Sequence, residues 1–244
     1  MGNKIVLSKR LAAVAAYVTK GNRVCDVGCD HGFVPIYLSQ QGISPCILAM
    51  DVRKGPLMQA NNHIEEYGLT RYIETRLSDG LDAYLIGEAD TLICDGMGGR
   101  LMMRILGACP EKTASFRELI LQPQSEIKEF RRFLREQGYL ITNENMIEED
   151  GKFYPMMRVE PNNMRNIIDD TELCKLEDRY GPFLLKRKDK TLTAYLRREE
   201  RIYEEILDNL REQGLSDEKR KNRYEEVHIL LEDCRKALDI MTLK

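Results

Sequence analysis

The sequence predicts an α/β protein: a mostly parallel sheet with a C-terminal antiparallel hairpin strand, then an antiparallel, coiled-coil-like helical hairpin. Three observations carry this. Short apolar runs closing on an acid or a glycine alternate with stretches of 3–4 spacing, the βα repeat of a parallel sheet with right-handed crossovers. Two later strand-like runs flank Asp150-Gly151, a hairpin turn pair. Beyond Pro161 the strand signal stops and two long amphipathic helices take over.

The elements follow in order. Ser8 caps a helix to about Val18, with Leu11, Val14, Ala15 and Val18 on one face. Gly21-Asn22 breaks it, and Arg23–Val27 is the first strand. Pro35 lies in the first turn of a helix ending near Gln41. Ile47–Met50 is the second strand, closing on Asp51, and Pro56 opens a helix that ends near Gly68. Tyr72–Arg76 and Thr91–Cys94 are the third and fourth strands, followed by Ser78-Asp79-Gly80 and by Asp95-Gly96-Met97-Gly98-Gly99. Glu118–Gln122 is the fifth strand, Ser125–Gln137 a helix, and Tyr139–Ile147 with Lys152–Val159 the closing hairpin. Two domains are expected, 1–160 and 161–244, with a linker over 161–170. In the second, Leu192, Leu196, Tyr203, Ile206 and Leu210 face Tyr224, Val227, Leu231, Cys234, Leu238 and Met241. Gly214 ends the first helix and Ser216 caps the second.

Composition narrows the function. With 244 residues, 43% hydrophobic, the chain can bury a sizeable core. A net charge of -3 excludes a global attraction to nucleic acid or anionic membrane, so any basic surface is local. Seven cysteines occur without a CxxC pair; reduced thiols are expected, with Cys25, Cys46 and Cys94 in core strands. No Cys/His spacing suggests a metal site. The N-terminus has no signal-peptide stretch and no run approaches the ~18 apolar residues of a membrane span. A soluble cytoplasmic protein is expected.

Ligands of such sheets bind beyond the carboxyl ends of the strands. The first turn supplies Asp26, Gly28, Cys29, Asp30, His31 and Gly32. Asp30 occupies the second glycine position of G-x-G-x-x-G, so the pyrophosphate fingerprint is incomplete. A carboxylate there repels a pyrophosphate and suits a cationic or zwitterionic ligand. S-adenosyl-L-methionine, with its sulfonium and amine, fits better than NAD. Asp51 lies where an acid accepts from ribose hydroxyls; the plainer alternative is a helix-capping Asp ahead of Gly55-Pro56. Asp79 is placed to accept from an adenine amine, or else makes an ordinary Asp-Gly turn. The three glycines after Asp95 admit a flat substrate, or form a mobile turn. His31 is a candidate ligand contact, whereas His63 and His228 belong to packing or surface.

These residues resemble a class I S-adenosylmethionine-dependent methyltransferase with its Rossmann-like sheet, and more closely the TrmK-type bacterial tRNA (adenine-N1)-methyltransferases. The resemblance rests on Leu7-Ser8-Lys9-Arg10-Leu11, Asp26–Gly32, Asp51-Val52-Arg53, Ser78-Asp79-Gly80-Leu81, Asp95–Gly99 and Leu121-Gln122-Pro123-Gln124. It covers the whole chain, helical hairpin included. It implies methylation of N1 of adenine 22 in tRNA. In that case the Asp26–Gly32 turn holds the methionine end of the cofactor, Asp51 and Val52 the ribose, and Asp79 with Gly80 the adenine. Asp95, Gly96, Met97 and Gly98 then face cofactor and target base, with Asp95 the catalytic candidate. For tRNA, the candidate contacts are Lys9, Arg10, Arg53 and Arg100 near the turns, and Lys186, Arg187, Lys188 and Arg197 in a basic cluster of the hairpin. Exposed helices are charged in any case, which is the plainer explanation of that cluster. The partner expected is tRNA, without membrane or metal, for a monomer or weak dimer. The alternatives are another RNA or small-molecule methyltransferase, or a non-catalytic cofactor-binding protein assembling through Leu192, Tyr203 and Leu210.

Overall fold

The computed structural model describes residues 4–161, 171–214 and 217–242. The chain divides into two compact units, Met1–Ile168 and Asp169–Lys244. The expected linker lies, apart from Pro161, outside the described residues, and so does the expected cap Ser216.

In the first unit the chain runs α1 (Lys9–Ala16), β1 (Val24–Val27), α2 (Phe33–Gln40), β2 (Ile47–Asp51), α3 (Lys54–Glu66) and β3 (Ile73–Leu77). It continues through β4 (Thr91–Met97), α4 (Gly99–Ala108), α5 (Pro110–Ala114), β5 (Glu118–Pro123), α6 (Ile127–Glu136), β6 (Leu140–Glu149) and β7 (Lys152–Glu160). The seven strands form one sheet in the order β3-β2-β1-β4-β5-β7-β6. The first five are parallel. β7 inserts antiparallel between β5 and β6. The strand order reverses between β1 and β4, so a crevice opens beyond their carboxyl ends.

Alternation along the strands divides the core between the two faces of the sheet. Cys25, Val27, Leu92, Cys94, Leu119 and Leu121 pack with Met102, Ile105, Phe130 and Leu134 of α4 and α6. Val24, Ile47, Ala49, Ile93 and Ile120 pack with Val14, Ile36, Leu57 and Ile64 of α1, α2 and α3. At the amino ends, buried Glu118 accepts from Thr19 Oγ1 (2.8 Å) and Thr91 Oγ1 (2.7 Å) and pairs with Arg158 (2.6 Å), tying α1's exit, β4, β5 and β7 together. Ser8 caps α1 as expected, accepting from the Leu11 N–H. Asp150 and Gly151 both take positive φ, the geometry that a two-residue hairpin needs.

Some expectations are corrected. Cys46 is exposed, one residue ahead of β2, rather than in a core strand. The Asp95–Met97 segment, expected as a loop, remains in β4 with an irregularity between Asp95 and Met97. A bulge there re-aims side chains next to the crevice.

The second unit contains α7 (Glu172–Tyr180), α8 (Pro182–Lys186), α9 (Lys190–Glu212) and α10 (Glu218–Thr242). Helices α9 and α10 pack on each other through Tyr203, Ile206, Leu207, Tyr224, Val227 and Leu231. Arg235 pairs with Glu200 at 3.0 Å along the flank. Leu207 is buried where Leu210 was expected, and Ala237 where Leu238 was expected. A 3.6-residue turn drifts against a strict heptad, which moves the seam. Leu192 is fully buried.

Candidate active site

The turn after β1 is built by backbone conformation. Gly28 sits at φ +80, and its N–H donates to Met50 O at 2.8 Å. The positive φ is what calls for glycine here, and the end of the Met97 side chain packs where a Cβ would stand. Asp30 adopts φ +48. The left-handed conformation normally favours glycine but is tolerated by Asp, which is how a carboxylate takes the place of the second glycine.

Beyond the carboxyl ends of β1, β2 and β4 lies a cavity of about 500 Å³. Asp26, Asp51, Asp79 and Asp95 all line it. They come from separate stretches of chain, and the parallel topology brings them to one rim. Asp26 is only 2% exposed. Burial first, then the neighbouring Asp95 and Asp51, push its carboxyl well above the usual range. Asp51 is also buried; its Oδ1 accepts from the Arg53 N–H (2.8 Å) and its Oδ2 from the Asp30 N–H (3.3 Å). These bonds fix both flanking turns around one carboxylate. Asp79 is more exposed and forms a two-pronged pair with Arg104 (3.0 and 3.1 Å). Asp95 Oδ1 meets Arg10 Nη1 at 2.8 Å. Burial raises the Asp95 pKa, and the Arg10 charge and hydrogen bond partly offset that rise.

Gly28, Cys29, Asp30, His31, Val52, Gly80, Gly96 and Met97 line the same cavity. Cys29 is buried, and its thiol is held far up the pH scale, mainly by burial. Two expected cofactor residues are placed elsewhere. Gly32 caps α2 with its α-carbon facing Ala60, and Gly98 caps α4 against Ser125. Neither lines the cavity; both shape its walls from behind.

The expected RNA contacts separate. Arg10 and Arg53 line the cavity. Lys9 does not: its backbone N–H donates to Glu149 at the start of α1. Arg100 is largely exposed and lies 3.6 Å from Glu126. Lys186, Arg187, Lys188 and Arg197 are exposed on the second unit, with Arg187 paired to Asp189 at 3.1 Å.

Sequence reasoning missed the apolar side of the cavity: Phe33, Val34, Leu101 and Ile105. The signal was present, because Leu101, Arg104 and Ile105 recur at 3–4 spacing after Gly99 and share a face of α4. The His31, Phe33 and His63 rings lie 5.3–6.1 Å apart at the rim, and His63 Nδ1 is 2.9 Å from His31 O. His63 therefore packs, as expected, but against the site.

The family model for a methyltransferase domain matches residues 7–157. Over 241 residues the chain is 32% identical to the tRNA (adenine(22)-N(1))-methyltransferase of Bacillus subtilis, covering 97% of this chain and 99% of that relative. The chain belongs to this TrmK-type methyltransferase family. Solved members agree with that membership. The crystal structure of the B. subtilis m1A22 tRNA methyltransferase TrmK matches with a TM-score of 0.82 at 31% identity, over 96% of this chain and 99% of that one. A Streptococcus pneumoniae chain solved in complex with S-adenosyl-L-methionine matches equally, with a TM-score of 0.82 at 30% identity, over 96% of this chain and 100% of that one. The TrmK-type fold thus extends through both units of the chain. Among the described residues no helix is long and apolar enough to cross a membrane, and no His/Cys/Asp/Glu group has the arrangement of a metal site.

Proposed function

We propose that this protein is a cytoplasmic S-adenosyl-L-methionine-dependent methyltransferase that modifies N1 of adenine 22 in tRNA. The observation that carries this reading is the convergence of four strand-end acids on one cavity, in a chain matching a tRNA (adenine(22)-N(1))-methyltransferase from end to end.

The donor set fits the cofactor. Deep carboxylates at Asp26 and Asp51 oppose a pyrophosphate and favour an ammonium and ribose hydroxyls. The Gly28 turn lines the cavity where the methionine end would lie, and Phe33, Leu101 and Ile105 offer apolar surface to an adenine. S-adenosyl-L-methionine supplies an electrophilic methyl group on a positively charged sulfur.

Adenine N1 carries an in-plane lone pair and needs no proton removed before it attacks. The N1–carbon bond forms as the carbon–sulfur bond breaks, the latter's electron pair staying on sulfur. Positive charge then spreads over N1 and N6 of the base. Asp95 Oδ2 has no protein donor among the described residues and is available to accept from N6. That contact strengthens as charge develops, so it favours the transition state over the ground state. N1 lies on the Watson–Crick edge, so the base must leave its pairing and stack to reach Asp95.

Incubation with labelled S-adenosyl-L-methionine and bulk unmodified tRNA, followed by nucleoside analysis, tests the reading. Label is expected in 1-methyladenosine at position 22; label at another nucleoside, or none, overturns it. Asp95→Asn is expected to slow single-turnover transfer by about 10²-fold while calorimetric cofactor affinity stays within a few-fold. An unchanged rate would take Asp95 out of the chemistry.

A further inference from the structure

We propose that Arg10, on the first turn of α1, is a positioning residue for methyl transfer: it clamps Asp95 as an oriented carboxylate and is not a contact for the RNA backbone. The inference rests on the methyltransferase reading above and assigns a task to a residue that the sequence suggested for phosphate binding.

The geometry is a three-point lock. Arg10 Nη1 donates to Asp95 Oδ1 and to Gln122 Oε1, each at 2.8 Å. Its guanidinium carbon lies 5.7 Å from the centre of the Tyr154 ring, so β7 packs on its face. Gln122 is fully buried, and its Nε2 donates to Pro123 O at 3.0 Å, which fixes which end of the amide faces Arg10. The Gly96 N–H reaches the same Gln122 Oε1 at 3.3 Å. One nitrogen of Arg10 therefore ties α1 to β4 and β5 at the bulge that carries Asp95. Only 18% of its side chain is exposed, whereas Arg53 and Arg100 at the same rim are 68% and 83% exposed. A phosphate-seeking arginine needs the exposure that those two have and Arg10 lacks.

The electrostatic surroundings require such a clamp. The charged groups facing Asp95 are Arg10 from α1, Asp30 from the β1 turn, and Asp26 from β1, itself next to Asp51 of β2. Tyr154 and Gln122 add no charge. Arg10 is thus the one cation paired with Asp95 among the described residues, against several carboxylates. Without it, burial and like charges favour a protonated Asp95, a weaker acceptor with no negative charge to set against the positive charge developing on the base. The bond to Oδ1 leaves Oδ2 without a protein donor among the described residues, on a residue that lines the cavity.

The test compares Arg10→Gln with Arg10→Lys in the full-length enzyme. For Arg10→Gln, kcat is expected to fall about tenfold or more at pH 7. Its acid limb should move up by about one pH unit or more, as for loss of an adjacent opposite charge. KM for tRNA and calorimetric cofactor affinity should stay within threefold. Arg10→Lys should restore the acid limb to within half a unit. A raised KM for tRNA with a flattened salt dependence, and an unmoved pH profile, would make Arg10 an RNA contact and overturn the proposal. Full activity of Arg10→Gln would do the same. If that variant does not fold, the double variant Arg10→Gln/Asp95→Asn removes both charges together. In the Asp95→Asn background, replacing Arg10 should change single-turnover rates less than twofold; a larger loss there counts against the clamp. Wild-type protein that methylates no tRNA refutes the methyltransferase reading, while an active wild type with indifferent Arg10 variants refutes only the clamp.

Discussion

Asp26 shows how a single residue trades stability for binding. Its carboxyl lies in a strand buried along its whole length, and burial holds its pKa well above the usual value. A raised folded-state pKa means that the stabilising protonated form prevails at low pH and is lost as pH rises through that value. Asp26→Asn is therefore expected to raise the melting temperature of the ligand-free protein at pH 8 by about 2–5 °C, roughly 1 kcal/mol. The gain should vanish toward pH 4. Calorimetry should show cofactor affinity at least about tenfold weaker, a lost charge-assisted contact being worth ~1.5–3 kcal/mol. Asp51 behaves differently, because its two oxygens serve backbone donors on both sides. Asp51→Ala leaves those N–H groups unpaired, so it should lose affinity and also cost about 1–3 kcal/mol of stability in urea unfolding. Asp26 and Asp51 are legible in sequence because an acid within or ending an apolar run is conspicuous. The Arg10 and Arg104 partners are not, since 85 and 25 residues of chain separate them from Asp95 and Asp79.

Among the elements, the junction of β4 and α4 holds the site's geometry. A Cβ built on Gly99 would lie 2.6 Å from Ser125 O, a backbone atom that cannot swing away. The Gly99 N–H donates to that oxygen at 3.1 Å. Gly99→Ala is expected to cost more than about 2 kcal/mol of overpacking, read as a lowered urea midpoint, and to disturb cofactor binding at Met97 and Gly96. Element legibility follows physical signal strength. β1, β2, β4 and β5 declare themselves as apolar runs because both faces of a parallel sheet are covered. β3 lies at the sheet edge, only Ile73 of its five residues is buried, and the expected bounds are one residue early. Helix α4 hid behind three glycines that read as a loop, although Met102, Ile105 and Leu106 pack into the core. Helices α5 and α8, five residues each, are too short for periodicity to show. The buried Arg131–Glu144 pair, 2.8 Å apart with side chains 2% and 0% exposed, joins α6 to β6 and was equally hidden. Pairing of distant charges leaves no local mark in a sequence.

At the scale of the whole molecule, charge is distributed to suit a polyanion without a basic protein. The net charge is -3, yet the second unit presents Lys186, Arg187, Lys188, Lys190, Arg197 and Arg201 on exposed positions. We infer that this unit contributes phosphate contacts while the first unit holds cofactor and base. Replacing Lys186, Arg187 and Lys188 jointly by Ala should weaken tRNA binding and reduce the slope of log affinity against log salt by up to about three. Calorimetric cofactor affinity should not change. An unaltered salt slope would assign these residues to solvation alone. The change of period from strand to helix after Pro161 made the C-terminal helices α9 and α10 legible. Helices α7 and α8 were not, because a run of charged residues and a glycine separate their few apolar anchors.

The place of β7 has a consequence for biosynthesis. It is the last strand of its unit to leave the ribosome, yet it fills an interior position, pairing with β5 on one side and β6 on the other. Until residue 160 has emerged, a nascent chain exposes one edge of β5 and has nowhere to dock β6. Translation therefore delivers the lock before the key, and a message truncated within this hairpin should yield a product that chaperones retain or proteases remove.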